Sequence, residues 1–322
     1  MSINRRQLIV AATAAASLAR PAFAQAWPSK PIKLIVPYPP GGSSDIIARA
    51  ISQPLAEALK QSVIVENRAG ANGNVGADFV AKSSPDGHTL LLCDVGALAI
   101  SPSVYTKLSF DPSKDLRGVT MLAYSPHMLV VHPSVTANNL KELVALSKKS
   151  DLNFAVTAMG SAPHIAGVAV ERASGAKWVY VPYKGGVQAI ADTIGGQTQV
   201  LMNGMLATLP HVQSGKLKVL GISKKTRMPL IGDVPTLAEQ GLTDFESGTW
   251  QGVLVANGTA PAVVARLNAE LIKIVRSADI RSRLTGQGAE VVTMASAEQD
   301  QFFNRERSRW AQVVAQAHIQ LD

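Results

Sequence analysis

Residues 36–51 read VPYPPGGSSDIIARAI. The apolar run IKLIV ends here, passes two prolines and two glycines, and enters a helical pattern. Ile47, Ala50, Ile51, Leu55 and Leu59 recur at helical spacing. Ser43 or Ser44 is placed to cap that helix, with Asp45 in its first turn. Pro54 inside the pattern predicts a kink or a weak turn. Bulky side chains are therefore withdrawn where a buried strand hands over to a helix. Glycine lets another group approach the backbone, and a helix start presents N–H groups without intrahelical partners.

The same strand-to-helix alternation runs along most of the chain. SVIVEN, HTLLLCD, MLVVHP, NFAVTAM, WVYVPY, QVLMNG, LKVLGIS and GVLVAN read as strands, with helical patterns such as NNLKELVALSKKS and VQAIADTIGG between them. That order predicts an α/β fold of mostly parallel sheets flanked by helices. The tail is mostly helical. Thr259 and Pro261 mark one start, and Ser296 with Gln299 forms a capping-box pattern at another. VPYPPGG at 36–42 and VPYKGG at 181–186 each follow a strand and precede a helix, a weak internal echo of two similar halves.

The first 24 residues read as an export signal. Asn4-Arg5-Arg6 is basic, Leu8–Ala19 is apolar but too short to span a bilayer, and Ala22-Phe23-Ala24 fits a cleavage site. Arg5-Arg6 also suits a twin-arginine signal, and both export routes stay open. Removing 24 of the 322 residues leaves 298, enough for two domains of about 150 residues each. The cut takes three of the 31 basic residues and none of the 23 acids, so the net charge falls from +8 to about +5. The basic residues are scattered rather than clustered, which argues against nucleic acid. KKSD and RERSR read as solvated charge runs. The single cysteine, Cys93, closes an apolar strand and reads as a small buried hydrophobe.

Five loops follow predicted strands: Pro39–Ser44, Asp94–Ala97, Met159–His164, Lys184–Gly186 and Asn203–Met205. In open α/β sheets such loops gather at the carboxyl edge, where ligands bind. Gly41, Gly42, Gly160, Ser161, Gly185 and Gly186 leave room for an anion against backbone N–H groups. The alternative is that these residues only make tight turns. GANGNVG spells G-x-x-G-x-x-G rather than a dinucleotide fingerprint, and no Walker motif occurs; helix packing is the plainer reading, with a ligand-facing turn as the alternative. Hydrolase elbows and zinc motifs are missing, and the six histidines have no metal-ligand spacing. No cofactor or metal is expected. Ser161 with His164 is a conceivable pair, but no orienting acid is evident.

WPSKPIKLIVPYPPGGSSDIIAR, VIVENRAGANGNVGA, SPDGHTLLL, VPYKGG and AEQGLTDFES follow one another in that order behind an export signal. This ordered set resembles the Bug-type receptors of tripartite tricarboxylate transporters, over essentially the whole mature chain. The resemblance implies a type II-like, two-domain periplasmic binding protein with a ligand cleft between the domains. It places residues 25–124 and 249–322 in one domain and 125–248 in the other. It implies a small carboxylate ligand held largely by backbone N–H groups and bridging water, delivery to membrane subunits, and a periplasmic location. The chain is expected to act as a monomer. The loop from Pro39 to Asp45, with Pro40, Gly41, Gly42, Ser43, Ser44 and Asp45, matches the family's first carboxylate loop, and Tyr38 just before it is expected to touch the ligand. Gly160, Ser161, His164, Tyr183, Lys184 and Gly185 match the facing side. Asp94 departs from the small hydroxyl residue more common there; it would repel a second ligand carboxylate and accept from an amine or hydroxyl. Asn203 stands where several relatives carry an acid. Tyr38, Met159, Met202 and Trp250 are expected to form an apolar wall. Two rival functions remain: a hydrolase using Ser161 or Cys93 as nucleophile, and a ligand-sensing module for a signalling partner.

Overall fold

The computed structural model describes residues 27–317. The export signal read at 1–24 lies outside them. In chain order the first elements are β1 (Ile32–Val36), α1 (Ser43–Leu59), β2 (Val63–Asn67), α2 (Asn74–Ala81), β3 (Thr89–Asp94), α3 (Ser101–Val104) and β4 (Leu116–Val131). Then come α4 (Leu140–Ser147), β5 (Asn153–Val156), α5 (Ala162–Ser174), β6 (Val179–Pro182), α6 (Gly186–Ile194), β7 (Val200–Gly204), α7 (Met205–Gln213) and β8 (Lys218–Ile222). The chain closes with β9 (Gly248–Ala256), α8 (Pro261–Arg276), α9 (Ala278–Thr285), β10 (Glu290–Val291) and α10 (Ser296–Ala317).

Strands β2, β1 and β3 run parallel; β1 and β3 are mostly buried apolar runs, as inner parallel strands are, while β2 is a partly exposed edge with Ile64 in solvent. The sheet then turns mixed, because β9 is antiparallel to both β3 and β4. β4 spans 16 residues, far beyond the usual five or six. Its first part pairs with β9 as far as Pro126, and from His127 it pairs antiparallel with β7, and from Met128 with β8. β7 continues parallel into β5 and then β6. One long strand thus belongs to two sheets, and β9 sets out beside it at the same crossing.

Each sheet buries apolar side chains on both faces. In the first half, Ile47, Ile51 and Leu55 of α1 pack with Leu34, Leu90, Leu267 and Leu271, while the far face joins Ile35, Leu91 and Cys93 to Phe303 and Trp310 of α10. In the second, Phe154 is fully buried against Trp178 and Tyr180 at ring distances of 5.1 and 5.5 Å. Gly167 makes that seat, since a Cβ there would stand 2.6 Å from the Phe154 ring.

Local details depart from the sequence reading at the helix starts. Helix α1 runs uninterrupted through Pro54, and its N-cap is Gly42 with no side-chain cap, not a serine. Thr259 donates to the Ala256 carbonyl while Ala260 takes the N-cap of α8. At α10 the reciprocal bond joins Glu298 to the Ala295 N–H, one residue earlier than expected.

His127 sits at the crossing, fully buried. Its Nδ1 meets Ser247 Oγ and its Nε2 meets Thr249 Oγ1, both at 2.8 Å, and its N–H donates to Ser223 Oγ at 2.9 Å. Burial lowers the imidazole from 6.5 to about 3. Below pH 6.5 the unfolded chain therefore takes up a proton that the folded chain refuses. Stability should fall as the pH drops from 6.5 towards 3, by up to about 1.4 kcal/mol per pH unit. His164, lowered by burial to about 4, acts with the same sign. His127→Gln is expected to flatten this limb in urea unfolding measured at several pH values. An unchanged slope would assign the titration to another group.

Candidate functional site

A cavity with about 650 Å³ of empty space, its open mouth included, is lined by residues of both halves. Tyr38, Pro39, Gly42, Ser43, Ser44, Asn72, Asp94, Val95, Thr249 and Gln251 line it from the first half. Thr157, Ala158, Ser161–Pro163, Gly185–Val187, Asn203, Gly204 and Ala207 line it from the second.

Four helices begin at this cavity: α1 after Gly42, α5 after Ser161, α6 after Gly185 and α7 after Gly204. The three glycine N-caps offer no side chain to their first-turn amides, although at α7 the Leu206 N–H donates to Ser125 Oγ at 3.0 Å. At α5, Ser161 Oγ accepts from the His164 N–H at 3.3 Å. First-turn N–H groups and aligned helix dipoles together favour an anion.

The two halves touch across the cavity. Asn72 Nδ2 donates to the Gly160 carbonyl at 3.1 Å, bonding the two halves directly. A Cβ on Gly185 would lie 2.8 Å from the Pro39 ring, and one on Gly41 3.4 Å from Val187. Removing the bond with Asn72→Ala is expected to weaken ligand affinity about three- to tenfold, the worth of one buried hydrogen bond. Calorimetry checks this, and unchanged affinity would show that the contact contributes nothing to closure.

Asp94 and Gln251 are direct cross-strand partners on β3 and β9, so they project from the same face of the sheet. Asp94 Oδ1 accepts from the Tyr38 hydroxyl at 2.5 Å and from the Gly96 N–H at 2.8 Å. Burial raises the Asp94 carboxyl to about 6, partly offset by those two bonds. Burial and the neighbouring Asp94 push the Tyr38 phenol well above its ordinary 10. Gln251 is fully buried with neither amide atom hydrogen-bonded, and Asn72 Oδ1 is also without a partner. Buried polar groups left without a partner are uncommon, and these two sit beside Asp94 in the wall.

Among the expected site residues, Tyr38, Gly42, Ser43, Ser44, Asp94, Ser161, Gly185 and Asn203 reach the cavity wall. Pro40, Gly41, Asp45, Gly160, His164, Tyr183 and Lys184 stand outside the lining. Asp45 supports the first loop instead. Its carboxylate accepts from the Gly41 N–H at 2.9 Å, Arg49 at 2.8 Å and Asn67 at 2.9 Å. Burial pushes its pKa up, but those bonds outweigh burial and hold it below the ordinary value. His164 Nδ1 accepts from the Gly160 N–H at 3.1 Å, which shapes the second loop. Of the expected apolar wall only Tyr38 lines the cavity. Met202 lies in the core, Met159 is exposed, and Trp250 stacks on Phe303 at 5.0 Å. Ser161 Oγ meets Thr157 Oγ1 at 3.1 Å, and Cys93 is fully buried with its thiol pushed up by burial and by Asp94.

The model for the tripartite tricarboxylate transporter family receptor, TctC, matches residues 47–319. The chain belongs to this receptor family. BugT of Bordetella pertussis is 35% identical to this TctC-family chain over 311 residues, covering 96% of it and 95% of BugT. An R. palustris structure with adipate shares 29% identity at a TM-score of 0.89, over 91% of this chain and 99% of that one. MatC from Rhodopseudomonas palustris with bound malate shares 31% identity at 0.85, over 89% and 100%. The two solved relatives share the fold found here, a mixed sheet with flanking helices.

Proposed function

We propose that this receptor captures a small carboxylate between its halves and delivers it to the membrane subunits of a tripartite transporter. The observation that carries the reading is the convergence of four helix starts on one cavity lined from both halves. Relatives solved with adipate and malate support it. Residues 25–124 with 249–322 act as one body and 125–248 as the other, hinged where β4 and β9 cross. Residues 1–24 direct export to the periplasm and are removed. The chain works as a monomer and performs no covalent step: the acid is bound, closure is favoured, and the closed form is read at the membrane. Ligand shifts that equilibrium only by its preference for the closed state. A micromolar receptor needs about 8 kcal/mol. Charge-assisted hydrogen bonds contribute about 1.5–3 kcal/mol each, so several of them with some buried carbon are needed to outweigh the cost of association. Native mass spectrometry of gently purified protein is expected to show one retained carboxylic acid. No retained acid, together with no binding across a carboxylate panel, would contradict the reading. Loss of acid uptake on deletion separates transport from sensing.

A further inference from the structure

We propose that the captured acid also carries an ammonium group, seated against Asp94 at the floor of the cleft. This rests on the carboxylate-capture reading and narrows it to amino acids in the broad sense. Among the described residues lining the cavity, Asp94 is the only acidic or basic side chain; no lysine, arginine or histidine shares the wall. Its carboxylate is therefore met by no cation from the protein.

The protein supplies two donors to Asp94, the Tyr38 hydroxyl and the Gly96 N–H, and both land on Oδ1. Oδ2 keeps its acceptor capacity. Further acceptors stand close by. Asp94 Oδ1 and Asn72 Oδ1 are near neighbours, since a Cβ on Gly96 would lie 3.0 Å from each of them. Asn72 Oδ1 has no hydrogen-bond partner, its amide nitrogen being committed to Gly160. Gln251, opposite Asp94 in the strand register, adds a buried amide oxygen that is also unpartnered. An ammonium has three donors and no acceptor, and fits such a cluster.

The rest of the wall has the opposite character, since the helix starts offer N–H groups. The cavity is polar in two senses, with donors at the helix starts and acceptors on the sheet floor. A dicarboxylate lacking an amine would set a like charge near Asp94, with no cation on the wall to relieve it. An amino acid satisfies both ends.

The pH dependence separates the two ligand classes. Asp94 is raised by burial to about 6 and is ionised at neutral pH. The groups around it stay neutral through this range. Burial raises the Tyr38 phenol and the Cys93 thiol, and lowers His127, behind Thr249, to about 3 and His164 across the cleft to about 4. Asn72 and Gln251 do not titrate. An ammonium bound at Asp94 favours the ionised carboxyl, so affinity for an amino acid should fall as the pH drops below 6. Affinity for a plain dicarboxylate should rise over the same interval.

The test is calorimetric titration of the purified full chain and of D94N. Probes are α-amino acids with chains of two to six carbons, each paired with its deaminated acid, plus L-malate as a hydroxyl-bearing control. At least one amino acid is expected to bind tenfold or more tightly than its deaminated partner at pH 7.5. That preference should shrink by pH 5 and vanish in D94N, with thermal unfolding checking that D94N is folded. A deaminated acid or malate bound as tightly as its amino counterpart overturns the inference and leaves carboxylate capture standing. Failure of every acid to bind either protein overturns both.

Discussion

Gly42→Val is expected to lower affinity for the captured acid at least a hundredfold, with a stability loss of about 1 kcal/mol because valine is a poorer N-cap than glycine. Gly42 has φ −75° and ψ 170°, extended backbone in which a β-branched residue is comfortable. A Cβ there would meet only the Pro39 carbonyl at 3.7 Å, ordinary contact. The substitution therefore leaves the fold intact and places two methyl groups at the cavity wall, over the first amides of α1. Filling a well-packed site costs about 3 kcal/mol, a factor of about a hundred in affinity. Gly41 would be a poor choice for the same test, because its φ of +87° makes any side chain strained. Calorimetry paired with denaturant unfolding checks the prediction. Wild-type affinity in a folded Gly42→Val protein would move the site elsewhere.

Gly185→Val tests closure rather than contact. Gly185 caps α6 in the second half, and its nearest neighbours for an added Cβ are the Pro39 Cδ and Cγ at 2.8 and 2.9 Å, in the first half. Its backbone is extended at φ 172° and ψ 168°, so valine adds no backbone strain. Opening the cleft relieves the collision and closing it does not. The variant should fold, remain open at saturating acid, and bind at least a hundredfold more weakly, since the closed state is removed from the equilibrium. Small-angle scattering should show the ligand-induced contraction of the wild type and none in the variant. Contraction and affinity equal to wild type would show that the halves do not approach through this contact.

The strand-to-helix alternation and the glycines at the strand ends were legible in the sequence because both are local. Residues from all five loops read there line the cavity. What escaped is set by register and backbone conformation. Gln251 lies in a strand buried on both faces, where alternation of polarity no longer marks which side faces a ligand. Trp250 was expected on the wall, yet Thr249 and Gln251 on either side of it line the cavity, so the two-residue period of a strand turns Trp250 to the opposite face. Met202 and Asn203 divide in the same way. Asn72 reaches the cavity from a short turn in which it adopts φ +53°, a conformation asparagine tolerates but sequence pattern does not announce. The length of β4 was hidden by its register shifts between Gly118 and Thr120 and between Met121 and Ala123.

The most direct test of the account is a cocrystal structure with the acid retained through purification. The acid group should lie within hydrogen-bonding distance of the first-turn amides at Ser43–Ser44 and of at least one of the facing helix starts, α5, α6 or α7. An acid group seated instead in the outer basic pocket formed by Lys114, Arg117 and Arg307 would contradict it.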